Sequence, residues 1–154
     1  MSDLLDFRLA TRSDLPEIVR MLADDELGSQ RECYELPLPG CYSAAFDLIE
    51  GNPNFELIVA ELNDCVVGSL QLIFIPSISF QGGLRSQVES VRVDASVRGQ
   101  GIGKQMMTWA MERARQRGAH IMQLTTHEIR LDAHRFYQRL GFKGTHLGMK
   151  ISLK

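Results

Sequence analysis

The stretch Val88 to Lys104 reads Val-Glu-Ser-Val-Arg-Val-Asp-Ala-Ser-Val-Arg-Gly-Gln-Gly-Ile-Gly-Lys. Its β-branched residues predict a strand in which Val91 and Val93 share one face. Polar and glycine residues follow Val93 and predict a loop. From Gly101, apolar residues recur at three- and four-residue intervals, which predicts a helix that stops at Gly118. A strand therefore leads through a glycine loop into a helix N-terminus.

Such a junction is suited to bind an anion, because first-turn N–H groups lack intrahelical partners and lie at the positive end of the helix dipole. Gly99, Gly101 and Gly103 carry no Cβ, so an anion can approach the backbone closely. Arg98 and Lys104 place positive charge at the two ends of the loop. These features predict a site for a pyrophosphate.

Two common phosphate-binding motifs do not fit the loop. A Walker loop requires glycine five positions before Gly103, where Arg98 stands. It also requires Ser or Thr after Lys104, where Gln105 stands. The dinucleotide fingerprint Gly-x-Gly-x-x-Gly requires glycine where the chain has Lys104 or Met106. The loop therefore carries neither motif.

The pattern Gln/Arg-x-x-Gly-x-Gly/Ala does fit, through Arg98, Gly101 and Gly103. Here the chain resembles the GNAT acetyltransferase superfamily, which binds the pyrophosphate of acetyl-coenzyme A with this loop. The alternative is a tight turn without a ligand. A second stretch, Asp132 to Phe142, resembles the family signature Ala-x-x-Phe-Tyr-x-x-x-Gly-Phe. Two signatures in the family's order imply an acetyl-coenzyme A-dependent N-acetyltransferase.

The resemblance implies a coenzyme site made of one strand and the loop after it. The backbone of Val91, Arg92 and Val93 is expected to pair with the pantetheine arm, because family members splay this strand from the next. Arg130 stands where many members have Asn, and it is an alternative ligand for a coenzyme phosphate. The pyrophosphate is expected to be held by the loop residues Arg98, Gly99, Gln100, Gly101, Ile102, Gly103 and Lys104.

Acetyl transfer to an amine requires a neutral nucleophile, a polarised thioester carbonyl and a proton for the departing thiolate. Tyr137 corresponds to the family tyrosine near the coenzyme sulfur, and the resemblance implies that its phenol protonates the thiolate. The alternative is a helix tyrosine that only packs beside Phe136.

Glu89 is the candidate base, because some family members place a carboxylate near the acceptor amine at this point of the strand. The alternation of side chains along a strand predicts that Glu89 shares a face with Val91. If that face is buried, burial would raise the pKa of Glu89 and help it act as a base near neutral pH, directly or through water. The alternative role for Glu89 is an ion pair with Arg85 or Arg92. The rival bases are His127 and His134.

Composition limits the classes of function. At 154 residues the chain is predicted to be one domain, spanning residues 1–154. A net charge of −2, with both signs spread along the chain, argues against nucleic acid and membrane surfaces as partners. Cys33, Cys41 and Cys65 lack metal-ligand spacing, which predicts no metal and favours reduced thiols in a cytoplasm. No signal peptide or membrane span is expected, since the longest apolar run, Val66 to Ile75, is interrupted.

The predicted elements run strand, two helices, three strands, helix, strand, helix, final strands. The first helix is predicted from Asp14 to near Gly28, and a hairpin joins Leu57–Glu61 to Cys65–Ile75. Leu147 to Leu153 alternates apolar with polar residues and predicts a last edge strand. This order implies the α/β GNAT fold: a central mixed, mostly antiparallel, splayed sheet of six to seven strands, flanked by about four helices.

The acceptor is expected to be a primary amine of a small molecule or a protein. Its contacts are expected in the loops Gln30–Gly40 and Ser77–Arg85 and in the C-terminal strands. The alternative function is a non-catalytic module that binds or senses acyl-coenzyme A, and transfer of longer acyl groups stays open.

A homodimer is also expected, because final strands in this family often pair across chains and edge strands invite pairing. The arginines of the central helix, Arg113, Arg115 and Arg117, are expected on its solvated face.

Overall fold

The computed structural model describes residues 4–154, so the first three residues of the stretch examined for a signal peptide lie outside it. The described residues form one five-stranded sheet in the order β1-β2-β3-β4-β5. Only β4 and β5 run parallel. The strands are β1 (Leu5–Leu9), β2 (Phe55–Leu62), β3 (Cys65–Pro76), β4 (Leu84–Val93) and β5 (Ala119–Gln123).

Helices cover both faces of this sheet. They are α1 (Leu15–Leu22), α2 (Glu26–Arg31), α3 (Gly40–Glu50), the single turn α4 (Ser79–Gly82), α5 (Ile102–Gln116) and α6 (Leu131–Arg139). The main core lies between the sheet and α5, where Met106, Met107 and Ala110 are at most 1% exposed. On the opposite face, α1 and α3 bury Ile18, Val19 and other apolar residues. The predicted class, mixed α/β, is confirmed, with five strands in the described chain rather than six to seven.

The first predicted helix is two helices. The chain leaves α1 after Leu22 and starts α2 at Glu26, because the Asp25 carboxylate accepts a hydrogen bond from the Gly28 amide and caps the new helix. A Cβ on Gly28 would lie 1.9 Å from the carbonyl oxygen of Leu22, so only glycine allows α2 to fold back so closely. The predicted hairpin is confirmed, with Asn63 and Asp64 at positive φ in its turn.

A β-bulge in β4 changes which side chains share a face. Arg92 pairs with Ser69 and Glu89 with Gln71, so two residues of β4 lie opposite one residue of β3, and Ser90 has a φ of 54°. The bulge returns Val91 to the core face, whereas Glu89 and Arg92 lie on the opposite face. The prediction that Glu89 and Val91 share a face is therefore wrong.

The chain after Phe142 forms no strand within the described residues. The stretch predicted as the last edge strand, Leu147 to Leu153, lies in neither a helix nor a strand and pairs with no strand of the described sheet. A strand needs a partner for its backbone groups, and this part of the chain meets none. Between residues 4 and 154, no helix has the length and apolar character needed to cross a membrane.

Candidate active site

The sheet opens between β4 and β5. These strands pair only where Leu84–Gln87 meets Ala119–Gln123, and from Val88 to Val93 β4 has no partner on that side among residues 4–154. The backbone groups of Val91, Arg92 and Val93 that face β5 are therefore left free of that strand. This V-shaped opening is what a pantetheine arm requires in order to pair with β4, although binding there stays a prediction.

The glycine loop lies at the end of β4 and has the backbone that its sequence demands. Gly99 and Gly101 both have a φ of 78°, a conformation that other residues adopt only with strain. The Gln105 amide bonds to the Gly101 carbonyl and closes the first turn of α5. The amides of residues 102–104 precede this bond, so they point out of the helix N-terminus toward the end of β4.

Gly103 differs from the other two glycines, because its φ is not positive. It lies inside α5, and a Cβ there would lie 3.4 Å from the Phe136 ring and 3.6 Å from Val93, which are ordinary van der Waals distances. The first turn of α5 therefore packs against α6 and the end of β4 at this position. The same packing brings the start of α5, the end of β4 and the middle of α6 together.

Polar contacts hold the loop in place at its strand end. The Nε of Arg98 donates to the Val93 carbonyl at 3.1 Å, while its guanidinium, 53% exposed, lies 3.4 Å from Asp24. Asp94 accepts hydrogen bonds from Ser96 and from Arg20 of α1, and these bonds lower the pKa of Asp94 to about 2. The loop is thus fixed at its base while Arg98 keeps positive charge accessible at its surface.

Tyr137 is positioned by the end of its own helix. The Gly141 amide donates to the Gln138 carbonyl and the Phe142 amide to the Tyr137 carbonyl, each at 3.0 Å, with Gly141 at a φ of 98°. This is a Schellman motif, in which a side chain beyond the cap packs back on the last turn. The rings of Phe142 and Tyr137 pack edge to face, with their centroids 5.8 Å apart. The spacing Phe-Tyr-x-x-x-Gly-Phe therefore orients the tyrosine ring.

The phenol of Tyr137 lies close to a cluster of charge, named here the cleft cluster: Asp25, Arg31, Arg92 and Arg130. Burial raises the pKa of Tyr137 above its ordinary value of 10.0, while the charges of Arg92 and Arg130 act to lower it. Burial has the larger effect, so the phenol stays protonated at neutral pH and can donate a proton.

The cleft cluster joins three elements, α2, β4 and the start of α6. Asp25 lies 2.6 Å from Arg130 and 3.8 Å from Arg92, so Arg130 has a carboxylate partner in this structure. Burial and the charges of Arg130 and Arg31 lower the pKa of Arg92, against the effect of Asp25. The Nε of Arg92 is buried and has no hydrogen-bond partner among residues 4–154. Two guanidinium groups, those of Arg92 and Arg130, thus lie near one carboxylate, and the charge of Arg31 also acts on Arg92. The Nε donor of Arg92 is unused by the described residues.

Glu89 lies on the same face of β4 as Arg92. Its carboxylate accepts a hydrogen bond from Gln87, whose amide oxygen accepts one from Gln123 across the narrow end of the cleft. No ion pair joins Glu89 to Arg85 or Arg92 among the described residues, so neither predicted alternative for Glu89 is seen. Within the same residues, no group of three or more His, Cys, Asp or Glu side chains is arranged to hold a metal ion.

The family model described as the acetyltransferase (GNAT) family matches residues 20–142, which include the cleft, the glycine loop and Tyr137. The chain belongs to the GNAT family. The resemblance inferred from two signatures is thereby confirmed.

Three known proteins show what this chain is similar to. An aminoalkylphosphonate N-acetyltransferase of Salmonella typhimurium is 38% identical over 62% of this chain and 61% of its own length. A glucosamine 6-phosphate N-acetyltransferase of Trypanosoma brucei is 33% identical over 57% of this chain and 58% of its own. A crystal structure from Bacillus halodurans, described as a transcriptional regulator, is 49% identical with a TM-score of 0.94, covering 97% of this chain and 100% of its own. The matches to the two curated enzymes span about three-fifths of those proteins.

The structure brings most predicted residues of the GNAT site to one end of the sheet. Sequence reasoning missed Asp25 and Arg31, because the break between α1 and α2 that delivers them to the cleft was not foreseen. The available signal was Asp25 three residues before Gly28, a capping pattern in front of a short helix. It also missed the bulge at Ser90, for which a single sequence carries no signal.

The Schellman motif at the end of α6 can be tested with a matched control. Gly141→Ala is expected to lower the free energy of unfolding by about 1–2 kcal/mol, since alanine is strained at positive φ. It should also lower kcat, because the displaced Phe142 no longer holds the Tyr137 ring. Gly144 has open space around it and no positive φ, so Gly144→Ala should change neither quantity. Equal effects of both substitutions in urea unfolding would contradict this account.

Proposed function

We propose that the chain is an N-acetyltransferase that moves the acetyl group of acetyl-coenzyme A to a primary amine in a ternary complex. One observation carries the proposal: the part of β4 that β5 leaves unpaired in the described chain, residues 88–93, leads into a glycine loop at a helix N-terminus, and Tyr137 is near enough to this strand for the charge of Arg92 to act on its phenol. The pyrophosphate, the pantetheine arm and the departing thiolate then have separate places along one cleft.

The proposed step is direct attack. The amine nitrogen bonds to the thioester carbonyl carbon, the C–S bond breaks, and Tyr137 gives its proton to the thiolate. Glu89 accepts the proton of the amine, directly or through water. Support for Glu89 comes from its place next to the bulge, on the strand that carries the proposed acetyl-binding backbone. No metal takes part in this proposal.

The coenzyme site can be tested with two ligands that differ in the pyrophosphate. Coenzyme A is expected to raise the Tm of the protein, because loop amides 99–104 bind its linked phosphates. Pantetheine, which lacks them, should raise it far less at the same concentration. Gly101→Ala should remove most of the difference, since the loop cannot keep its φ of 78° without strain, whereas Gly40→Ala should not. Equal shifts for both ligands would count against the loop.

We further propose that the acceptor carries a phosphorus oxyanion as well as the amine. Both curated relatives are named for such substrates, an aminoalkylphosphonate and glucosamine 6-phosphate. The cleft cluster supports this class, because its three arginines exceed its one carboxylate by two charges and the buried Nε of Arg92 has no partner in the part of the chain that the structure describes. An oxyanion would satisfy that donor and offset the repulsion between Arg31, Arg92 and Arg130.

A matched pair of acceptors tests this class. With acetyl-coenzyme A, 2-aminoethylphosphonate is expected to show a kcat/KM at least about tenfold above that of ethylamine, because charge-assisted bonds favour the oxyanion. Arg31→Gln should reduce this ratio while leaving coenzyme affinity unchanged. Arg115→Gln, on an arginine 69% exposed on α5, is the control and should preserve the ratio. A ratio near one in the unchanged protein would contradict the oxyanion class.

A second candidate is the non-catalytic module that senses acyl-coenzyme A. The observation in its favour is the Bacillus halodurans relative, which is described as a transcriptional regulator. Thiol release from acetyl-coenzyme A, measured across a panel of primary amines, separates the two. Release that depends on the amine supports the enzyme, whereas tight coenzyme binding without release on any amine supports the module.

The proposal also covers the extent of the domain, the cellular compartment and the oligomeric state. We propose a single domain over residues 1–154 in a reducing cytoplasm, which is supported by three cysteines that are exposed and unpaired. The proposed partner is a second copy of the chain, in a homodimer. The outer edge of β5 supports it, because this edge pairs with no strand of the described sheet and so offers backbone donors and acceptors to another chain.

A further inference from the structure

Two buried side-chain atoms lack a hydrogen-bond partner among residues 4–154, and both are arginine Nε atoms of β4. One belongs to Arg92 of the cleft cluster. The other belongs to Arg85, near the start of the strand, with which no carboxylate of the described residues forms an ion pair. Folded proteins leave few buried donors unpaired. A pair of such donors on one strand therefore points to a ligand that accepts from both.

The two arginines lie on the same face of β4. Val88 belongs to the core between the sheet and α5, so Arg85 and Glu89, which alternate with it, face the other side. The bulge at Ser90 returns Arg92 to that side. Glu89 therefore stands between the two arginines along one face of the strand.

The neighbours of Arg85 across the sheet are apolar. Ile75 of β3 and Ile121 of β5 pair with it on its two sides, and Ile121 is 51% exposed. Neither side chain has an oxygen that could accept from the guanidinium. Because this face is partly open and holds no counterion beside Arg85, an anion from outside can bind there. Carboxylates do so with two parallel hydrogen bonds.

We propose that Arg85 binds a carboxylate of the acceptor, and that the acceptor is an amino acid whose amine lies between this carboxylate and the phosphorus oxyanion at Arg92. The inference rests on the proposed function, because it places the amine at Glu89, the proposed base. Arg85 is a single guanidinium, which matches the single charge of a carboxylate. The cleft cluster, with three arginines, matches the higher charge of a phosphorus oxyanion.

The spacing along β4 suits one small molecule. Arg85 and Glu89 are four residues apart, or about 13 Å between their Cα atoms at 3.3 Å per residue. Arg92 is closer to Glu89, about 7–10 Å, because the bulge takes up one residue. Arginine side chains are long, so both guanidinium groups can approach an amine at Glu89 from opposite ends of the strand.

Four amines separate the two anion sites. Ethylamine has no anion, alanine adds a carboxylate, 2-aminoethylphosphonate adds a phosphonate, and 2-amino-3-phosphonopropionate has both. Isothermal titration calorimetry, with coenzyme A present, measures each dissociation constant without acetyl transfer. We expect alanine to bind at least about tenfold more tightly than ethylamine, because Arg85 adds a charge-assisted bond. The compound with both anions should exceed 2-aminoethylphosphonate by the same factor.

Substitution of the arginine assigns the gain to its residue. Arg85→Gln should abolish both gains from the carboxylate and preserve the gain of 2-aminoethylphosphonate over ethylamine. Arg115→Gln, on the exposed side of α5, is the control and should preserve all three. Far-UV circular dichroism checks that both variants are folded.

The outcomes that contradict the proposal are distinct. No preference for alanine over ethylamine in the unchanged protein, or a preference that survives Arg85→Gln, would overturn the carboxylate site. A gain for alanine without one for the compound with both anions would overturn the placement of the amine between two anions. Failure of the phosphorus oxyanion class would appear separately, as 2-aminoethylphosphonate binding no more tightly than ethylamine. None of these constants depends on turnover, so failure of the proposed reaction is also a separate result.

Discussion

Tyr137→Phe is expected to lower kcat about 10²–10⁴-fold, the usual contribution of a positioned general acid. The ring contacts with Phe136 and Phe142 do not involve the hydroxyl, so the variant should fold with unchanged Tm. KM for acetyl-coenzyme A should also stay the same. A loss confined to KM, or unchanged turnover, would remove Tyr137 from the proton transfer.

The pH profile gives a second readout on the same residue. Because burial raises the pKa of Tyr137 above 10.0, kcat should fall on the alkaline side of neutral pH as the phenol loses its proton. The phenylalanine variant should lack this alkaline limb. Glu89→Gln should instead alter the acidic limb, and an unshifted acidic limb would remove Glu89 from the chemistry.

Glu56→Gln is expected to lower the free energy of unfolding by about 2–3 kcal/mol, since it leaves two arginines without their buried anion. Glu56 is 6% exposed and bonds both Arg113 and Arg117, the first at 2.7 Å, which joins α5 to β2. This expected loss is smaller than the loss on removing one partner of a fully buried ion pair, because both arginines are partly exposed to water. Glu112→Gln on the solvent side of α5, paired with Arg115 at 3.4 Å, is the control and should cost under about 0.5 kcal/mol.

The effect of Glu56 should depend on pH in a defined direction. Burial opposes the charge of Glu56, but the bonds from Arg113 and Arg117 outweigh it and hold its pKa below the ordinary 4.5. A carboxylate whose pKa is lower in the folded than in the unfolded protein stabilises the fold fully at pH values above its unfolded pKa. This stabilisation is lost as the pH falls through its folded pKa. In urea unfolding, the free energy of unfolding of the unchanged protein should therefore exceed that of the Glu56→Gln variant most above pH 5. This difference should shrink in more acid solution. A gap that grows on acidification would contradict the ion pair.

The features that the sequence predicted correctly are those set by consecutive residues. The step from strand to glycine loop to helix depends on local periodicity and on glycines at Gly99 and Gly101, whose positive φ no neighbour can supply. The helix end at Gly141 is equally local, since its hydrogen bonds join residues at most five positions apart. Such patterns predict the glycine loop and the position of Tyr137 without any knowledge of the sheet.

Other features were decided by contacts between distant residues. Arg113 and Arg117 lie on what the helix pattern predicts as a solvated face, yet both bind Glu56, more than 50 positions earlier in the chain. Of the three arginines in that prediction, only Arg115 remains on the solvent side, 69% exposed. A charge pattern along one helix cannot reveal which strand carries the opposite charge.

The candidate site shows the same division. The sequence by itself determined the glycine loop and the capped helix that orients Tyr137, because each follows from the dihedral preferences and spacing of neighbouring residues. Only the tertiary structure decided that the bulge at Ser90 turns Glu89 away from Val91, and that α2 delivers Asp25 to Arg92 and Arg130. Strand register and helix docking depend on the sum of many long-range contacts, and no short stretch of the chain contains that sum.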